Sequence, residues 1–261
     1  MDISGQRILV TGATRGIGRA LVERLAAAGA RLALVARSEG PLRELAGALG
    51  AKAFAADLGQ AAALDGLIER IEADGGGIDV LVNNAGISGA EHALRRSPEW
   101  IETLFRINLL APIHLCQQVI PRMLARGGGH IVNVGSIAGV IPAAGLVHYG
   151  ASKAGLAHYT AGLRVDLRDV PIRLTLVQIA STATEMDDAT QSYAPYQSIR
   201  GKRSVEDIRI PLAQVVDGII DGIRHERRNV VLPAIARPLT EAVELPRRVG
   251  EFMFRKANVG P

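Results

Sequence analysis

Tyr149 and Lys153 stand four residues apart in the run Tyr149-Gly150-Ala151-Ser152-Lys153. On a helix that spacing puts both side chains on one face, about one turn from each other. A phenol, with an ordinary pKa of about 10, gives a proton readily to an oxygen that is gaining charge but is hard to use as a base near neutrality. An ammonium beside it stabilises the phenolate and is expected to lower that pKa. The pair therefore suits proton transfer at an alcohol or carbonyl oxygen. Ser136, thirteen residues before Tyr149, can hydrogen-bond the same oxygen. Taken alone, a Tyr and a Lys one turn apart also describe an ordinary surface pair.

A second group of residues suits a phosphate. Thr11-Gly12-Ala13-Thr14-Arg15-Gly16-Ile17-Gly18 follows an apolar run and opens directly into a stretch of helical period. Glycines there let the backbone turn sharply, let a pyrophosphate approach the amides and let the helix pack close to the sheet. The helix N-terminus adds unpaired N–H groups and the positive end of its dipole. Glycine-rich turns without a ligand are common, so the strand before and the helix after are the context that gives the pattern meaning. At the end of the second apolar run, where an acid would take a ribose 2′-hydroxyl, the chain reads Ala36-Arg37-Ser38. With no acid to repel a 2′-phosphate, and with Arg37 and Arg15 within reach of one, the phosphorylated cofactor NADP(H) is favoured over NAD.

The elements that must position these residues alternate along the chain. Strands are expected at Arg7 to Thr11, Arg31 to Ala36, Ala51 to Ala55, Ile78 to Asn83, His130 to Gly135, Ile172 to Gln178 and Asn229 to Leu232. Helical stretches lie between them, such as Gly16 to Gly29, with Asn108 inside another. Strands that are nearly continuous apolar runs, each followed by a helix, predict an α/β fold: a doubly wound parallel sheet of about seven strands with helices on both faces. Linker-like composition and short-period repeats are missing, so one domain over residues 1–261 is expected. Residues 184–210, with Asp187, Asp188, Tyr193, Tyr196, Arg200, Lys202 and Arg203, are polar and poorly periodic. They read as a lid over a site or as a plain surface loop. The extension 233–261 mixes Leu239, Val243, Leu245, Val249, Phe252 and Met253 with Arg247, Arg248, Arg255 and Lys256, and Pro246 is expected to interrupt it. It can dock on the body, on a partner subunit or on a membrane surface.

Composition narrows the classes. The chain has 261 residues, 48% hydrophobic and 21% charged, which excludes disorder, collagen and a disulfide scaffold. No Asp, Glu, Lys or Arg occurs over the 26 residues from Gly127 to Ser152, a length that raises a membrane span. Seven glycines, Pro142, Asn133, Ser136 and two histidines in that run argue against it, because hydrocarbon would leave their polar groups unsatisfied. The start of the chain has no apolar core of signal-peptide length, and Cys116 stands alone with no disulfide or metal partner, so a cytoplasmic protein without a metal is expected. A net charge of +4 is too small and too dispersed for a nucleic-acid stripe.

Thr-Gly-x-x-x-Gly-x-Gly at 11–18, Asn-Asn-Ala-Gly at 83–86, Ser136, and Tyr-x-x-x-Lys at 149–153 together resemble the short-chain dehydrogenase/reductase superfamily, in its short single-domain branch. The resemblance covers roughly residues 5 to 232. It implies a Rossmann-type sheet and hydride transfer between a nicotinamide cofactor and a carbonyl or secondary alcohol. Ser136, Tyr149 and Lys153 would form the catalytic core, and Asn108 would complete a tetrad by holding a water that relays protons to Lys153. Lys153 would also bind the nicotinamide ribose. Gly12, Thr14, Arg15, Gly16, Ile17 and Gly18 would hold the phosphates, Asp57 and Leu58 would border the adenine, and Asn83, Asn84, Ala85 and Gly86 would support the ribose side, with Thr184 at the carboxamide. The family commonly forms homodimers or homotetramers, and the small residues Gly150, Ala151, Ala154, Gly155, Ala161 and Gly162 suit either a subunit contact or packing within the chain.

One motif departs from the pattern: Ile179-Ala180 stands where the family has Pro-Gly before Thr184. Two alternatives to an NADP(H)-dependent reductase follow. One is an NAD-linked alcohol dehydrogenase, and the other is a cofactor-binding sensor without turnover.

Overall fold

The computed structural model describes residues 1–195, 204–205 and 209–253. Its strands are β1 (Arg7–Thr11), β2 (Arg31–Ala36), β3 (Lys52–Ala55), β4 (Val80–Asn83), β5 (Gly129–Ser136), β6 (Ile172–Ile179) and β7 (Asn229–Leu232). They form a parallel sheet in the order β3-β2-β1-β4-β5-β6-β7. Val10 of β1 is matched with Leu34 on one side and Val82 on the other, so the strand is buried between neighbours and both its faces are apolar. The order reverses direction between β1 and β4, and the carboxyl ends of strands at such a reversal diverge to leave a crevice.

The helices are α1 (Gly16–Ala27), α2 (Glu39–Leu49), α3 (Ala61–Leu64), α4 (Leu67–Ala73), α5 (Pro98–Phe105), α6 (Ala111–Ala125), α7 (Val147–Asp166), α8 (Glu185–Gln191), α9 (Leu212–Arg224) and α10 (Arg237–Met253). Leu21, Leu42 and Ile219 bring α1, α2 and α9 onto one face of the sheet, and Ile68, Leu115 and Cys116 bring α4 and α6 onto the other, where Tyr159 of α7 also packs. The expected helix from residue 16 ends at Ala27. Its chain reversal is made by Gly29 at φ 81°, a conformation that an L side chain resists.

Three features differ from the expected pattern. The turn Arg106–Leu110 between α5 and α6 widens to a π-helical turn, so the two form one long rod with a local bulge. The polar segment after Thr184 contains α8, whose N-terminus Thr184 caps by accepting from the Asp187 N–H at 3.4 Å. Tyr196, Arg200, Lys202 and Arg203 of that segment lie outside the described residues. Pro246 does not interrupt α10. A proline frees the carbonyl four residues earlier, and both Pro246 and Ala242 are exposed, so that carbonyl is not forced to go unsatisfied in the interior. Pro121 is carried the same way on the exposed side of α6.

The charge-free run from Gly127 resolves into β5, the loop after it and the first turn of α7. Among the described residues no helix is long and apolar enough to cross a membrane.

Candidate active site

A cleft of about 520 Å³ opens at the carboxyl ends of the strands, within the range of small-molecule and cofactor sites. Gly12, Thr14, Arg15, Gly16, Ile17, Gly18, Arg37, Asp57, Leu58, Asn84, Ala85 and Gly86 line one part of it, and Ser136, Tyr149, Lys153, Ile179, Ala180 and Thr184 line the other. Every candidate residue except Asn108 and Asn83 is on the cleft wall. Asn108 sits behind it, and Asn83 turns away to donate to Asn133 Oδ1 at 2.8 Å, in a buried network that continues from Asn133 to Thr160.

The glycines divide their tasks. A Cβ on Gly18 would lie 2.0 Å from the Gly12 carbonyl oxygen, and one on Gly12 would lie 2.8 Å from Ala85 Cα. These two glycines therefore let β1, α1 and the loop after β4 meet. Gly16, at φ 52°, faces Thr184 across the cleft. Asn84 closes the same junction: its Nδ2 donates to the Thr11 carbonyl at 2.9 Å, and its backbone N–H donates to Thr11 Oγ1 at 3.1 Å. The N-terminus of α1 has no side-chain cap, and Gly16 and Ile17 present it to the cleft. Uncapped N–H groups at a dipole's positive end make this a fitting seat for a pyrophosphate. Arg15 leans toward Glu185 of α8 at 3.7 Å, an exposed pair worth little. Arg37 is exposed at the mouth beside Ser38.

At the other end, Lys153 is buried and its Nζ donates to the Val134 carbonyl at 2.9 Å. Desolvation lowers its pKa from 10.5 to about 8. The ammonium lies 5.8 Å from the centre of the Tyr149 ring. Contrary to the expected lowering, the Tyr149 pKa is raised: desolvation of its enclosed hydroxyl pushes it up, and the hydrogen bond with Ser136 opposes this only in part. The phenol loses more by leaving water than the bond with Ser136 returns, and the Asp187 carboxylate pushes the same way. Ser136 Oγ donates to the Ile179 carbonyl at 3.2 Å, so the residue replacing the family's proline helps hold the serine. Asn108, in the π turn, accepts from the Ile87 N–H and donates to the Ile87 carbonyl, both at 2.9 Å, and donates to Ser152 Oγ at 3.1 Å. Ser152 in turn donates to the Tyr149 carbonyl at 2.7 Å. π turns recur at functional sites because they re-aim one side chain within a helix.

Ser152, Val134 and Ile87 were not among the residues singled out from the sequence. Two of them act through backbone groups, which leave no trace in residue type. The small residues of α7 are used within the chain in part: a Cβ on Gly150 would lie 2.6 Å from the Ala138 carbonyl oxygen, and one on Gly155 would lie 3.0 Å from Leu109.

The lowered Lys153 pKa has a measurable sign. Between pH about 8 and 10.5 the unfolded chain keeps a proton that the folded chain has released, so raising the pH through this window stabilises the fold. The melting temperature of the wild type relative to Lys153→Met is expected to climb across that range. A difference that stays flat from pH 7 to 10 would refute it.

The model of the short chain dehydrogenase family matches residues 6–194. An NADP-dependent 3-hydroxy acid dehydrogenase of Shigella flexneri is 36% identical over 174 residues, which cover 66% of this chain and 70% of that protein. A 3-oxoacyl (acyl-carrier-protein) reductase of Escherichia coli strain K12 is 34% identical over 191 residues, 72% of this chain and 78% of the relative. Among solved structures, a short-chain dehydrogenase from Sphingobium yanoikuyae in complex with NADPH is similar with a TM-score of 0.79 at 30% identity, over 97% of this chain and 98% of that one. A bulky-bulky ketone specific alcohol dehydrogenase from Comamonas testosteroni has a TM-score of 0.80 at 27% identity, over 97% and 96%. On sequence, sheet order and the cleft at the strand reversal together, the chain belongs to the short-chain dehydrogenase family.

Proposed function

We propose that the protein is an NADP(H)-dependent reductase that interconverts a carbonyl and a secondary alcohol, with Tyr149 as general acid and base, and that the whole chain forms one catalytic domain. The observation that carries this reading is Tyr149, Ser136 and the buried Lys153 standing on one cleft wall, in the same cleft as the uncapped N-terminus of α1. Bound in the cleft, the reduced cofactor would supply the hydride. Tyr149 gives its proton to the substrate oxygen as that oxygen gains charge, and Ser136 holds the oxygen by a hydrogen bond. Lys153 keeps a positive charge behind the phenol, and Asn108 anchors the Ile87 loop against α7 and has a place in the proton path to Lys153. The raised pKa of Tyr149 keeps its proton on at neutral pH, which favours carbonyl reduction.

The 2′-phosphate is assigned to Arg37. No acid ends β2, and a guanidinium at the cleft mouth suits a phosphate. The Shigella relative is named as NADP-dependent, and the Sphingobium structure holds NADPH. Ile87, Ile141, Leu146 and Met186 make the substrate half apolar, which supports a hydrophobic ketone as substrate.

The test is NADPH consumption followed against a panel of ketones, aldehydes and 3-oxoacyl thioesters, in the wild type and in Arg37→Ala. The variant is expected to raise the KM for NADPH about tenfold, a charge-assisted hydrogen bond's worth, while changing that for NADH less than twofold. An unchanged KM for NADPH would remove Arg37 from the 2′-phosphate site, and no turnover on any substrate would refute the enzyme reading.

A further inference from the structure

Helix α10 is mounted with its polar side inward. Thr240 and Glu244 are 2% and 1% exposed, whereas Leu245 and Phe252 are 63% and 72% exposed. The rotation of the helix is set by charge. Glu244 lies against Arg164 of α7 and accepts from Arg247 one turn on, and Arg164 also donates to the carbonyls of Leu174 and Arg228. Turning the helix half a revolution would bury its apolar face but would carry Glu244 out to solvent and take its carboxylate away from the buried Arg164, which a buried guanidinium resists. The charged side is therefore held down and the apolar side faces out.

That outward face has a definite pattern. Pro238, Ala242, Leu245, Val249 and Phe252 follow one another at intervals of four, three, four and three residues, and all are exposed. This is the spacing of a coiled-coil seam, in which the a and d positions of a heptad meet a second helix. Ile235, 86% exposed, lengthens the patch at its start. The helix is about 25 Å long and about 10 Å wide, so its apolar half offers on the order of 500 Å², more than the few hundred Å² that a monomer usually leaves bare. It approaches the roughly 800 Å² that each partner contributes to a stable interface.

The flanks of the seam identify the occupant. Glu241 and Arg248 are both exposed and seven residues apart, so they lie on one edge of the seam with opposite charges. In an antiparallel pair related by a two-fold axis, the layer that sets Ala242 against Leu245 also sets Val249 against Pro238. The same register brings Glu241 against the Arg248 of the other copy, and Arg248 against its Glu241. On the opposite edge it brings Leu239 against Pro246. Every contact is made twice, as an isologous interface requires. An anionic lipid surface would call for basic residues along both edges, and Glu241 opposes that.

We propose that α10 is a self-association surface, the face on which a second copy of this chain docks its own α10 antiparallel. Neither the catalytic residues nor the cofactor cleft contributes to it.

The experiment is light scattering coupled to gel filtration, with sedimentation equilibrium, on the full chain at low salt. It compares the wild type, Leu245→Glu, Glu241→Arg and the double reversal Glu241→Arg/Arg248→Glu. The two single variants are expected to halve the mass of the assembled species or raise its dissociation constant at least tenfold, with circular dichroism and NADPH turnover unchanged. The double reversal is expected to restore the association of the wild type, because the charge pair is then re-formed with its signs exchanged. A wild type that is monomeric, single variants that leave the mass unchanged, or a double reversal that associates no better than Glu241→Arg would each overturn the proposal. So would sedimentation of the wild type with phosphatidylglycerol vesicles, lost in Leu245→Glu, with no change of mass in solution.

Discussion

Replacing Tyr149 by Phe is expected to lower kcat for carbonyl reduction by about a thousandfold, within the range that a positioned general acid contributes. The ring, its packing and the ammonium 5.8 Å away all remain, so NADPH affinity should stay within twofold of the wild type. The separation is the useful part: a loss confined to kcat marks an interaction made at the reacting oxygen. Burial raises the Tyr149 pKa, so the proton needed for reduction is retained through neutral pH. Reduction should fall off only as pH rises through that elevated value, and alcohol oxidation, which needs the phenolate, should rise over the same interval. Stopped-flow and steady-state measurements across pH check both. Residual reduction within tenfold of the wild type would move the proton to another donor, with Ser136 the nearest candidate.

The second large effect is expected from one methyl group. Gly18→Ala would put a Cβ 2.0 Å from the Gly12 carbonyl oxygen and 2.6 Å from Asn84 Nδ2. The carbonyl is backbone and cannot swing aside, so α1 must withdraw from β1, and overpacking of this kind costs about 1–3 kcal/mol or more. The withdrawal moves the uncapped N–H groups of α1 away from the cleft, and NADPH affinity is expected to fall at least a hundredfold. Gly47→Ala is the control. Gly47 lies in α2 with open space where its Cβ would go, and alanine there should stabilise by about 0.5–1 kcal/mol. Calorimetric titration and thermal melts on the two variants separate a local clash from a general intolerance of substitution. An unaltered affinity in Gly18→Ala would show that the loop has slack that the backbone contact denies.

Much of the fold was legible because its signals are local. The strands are apolar runs and the helices carry a 3.6-residue period, so β1, β2 and β7 were bounded correctly from the sequence, and the others shifted by a residue or two. Pro246 misled for a local reason too: a proline breaks a buried helix, but on an exposed face the freed carbonyl is not forced to go unsatisfied. The cleft-lining residues were also legible, since glycines, Asn84, Tyr149 and Lys153 fall in ordered motifs. Their energetics were not. The spacing of Tyr149 and Lys153 placed them together but did not show how deeply the fold buries both, and burial decides which way each titrates. Nor did it show that Asn83, within a motif that reads as cofactor-binding, turns inward to Asn133.

By itself, then, the sequence of this protein determined its alternation of strands and helices, its family and the set of residues that line one cleft, because periodicity and motif order are properties of neighbours along the chain. Only the tertiary structure decided which glycines serve packing, which direction burial moves Tyr149 and Lys153, and which side of α10 faces solvent. Each of those depends on what the fold packs around the residue, Ala85 against Gly12, the burial of Tyr149 and Lys153, or Arg164 against Glu244, and the energy of such an encounter is set by distance and burial, which spacing does not encode.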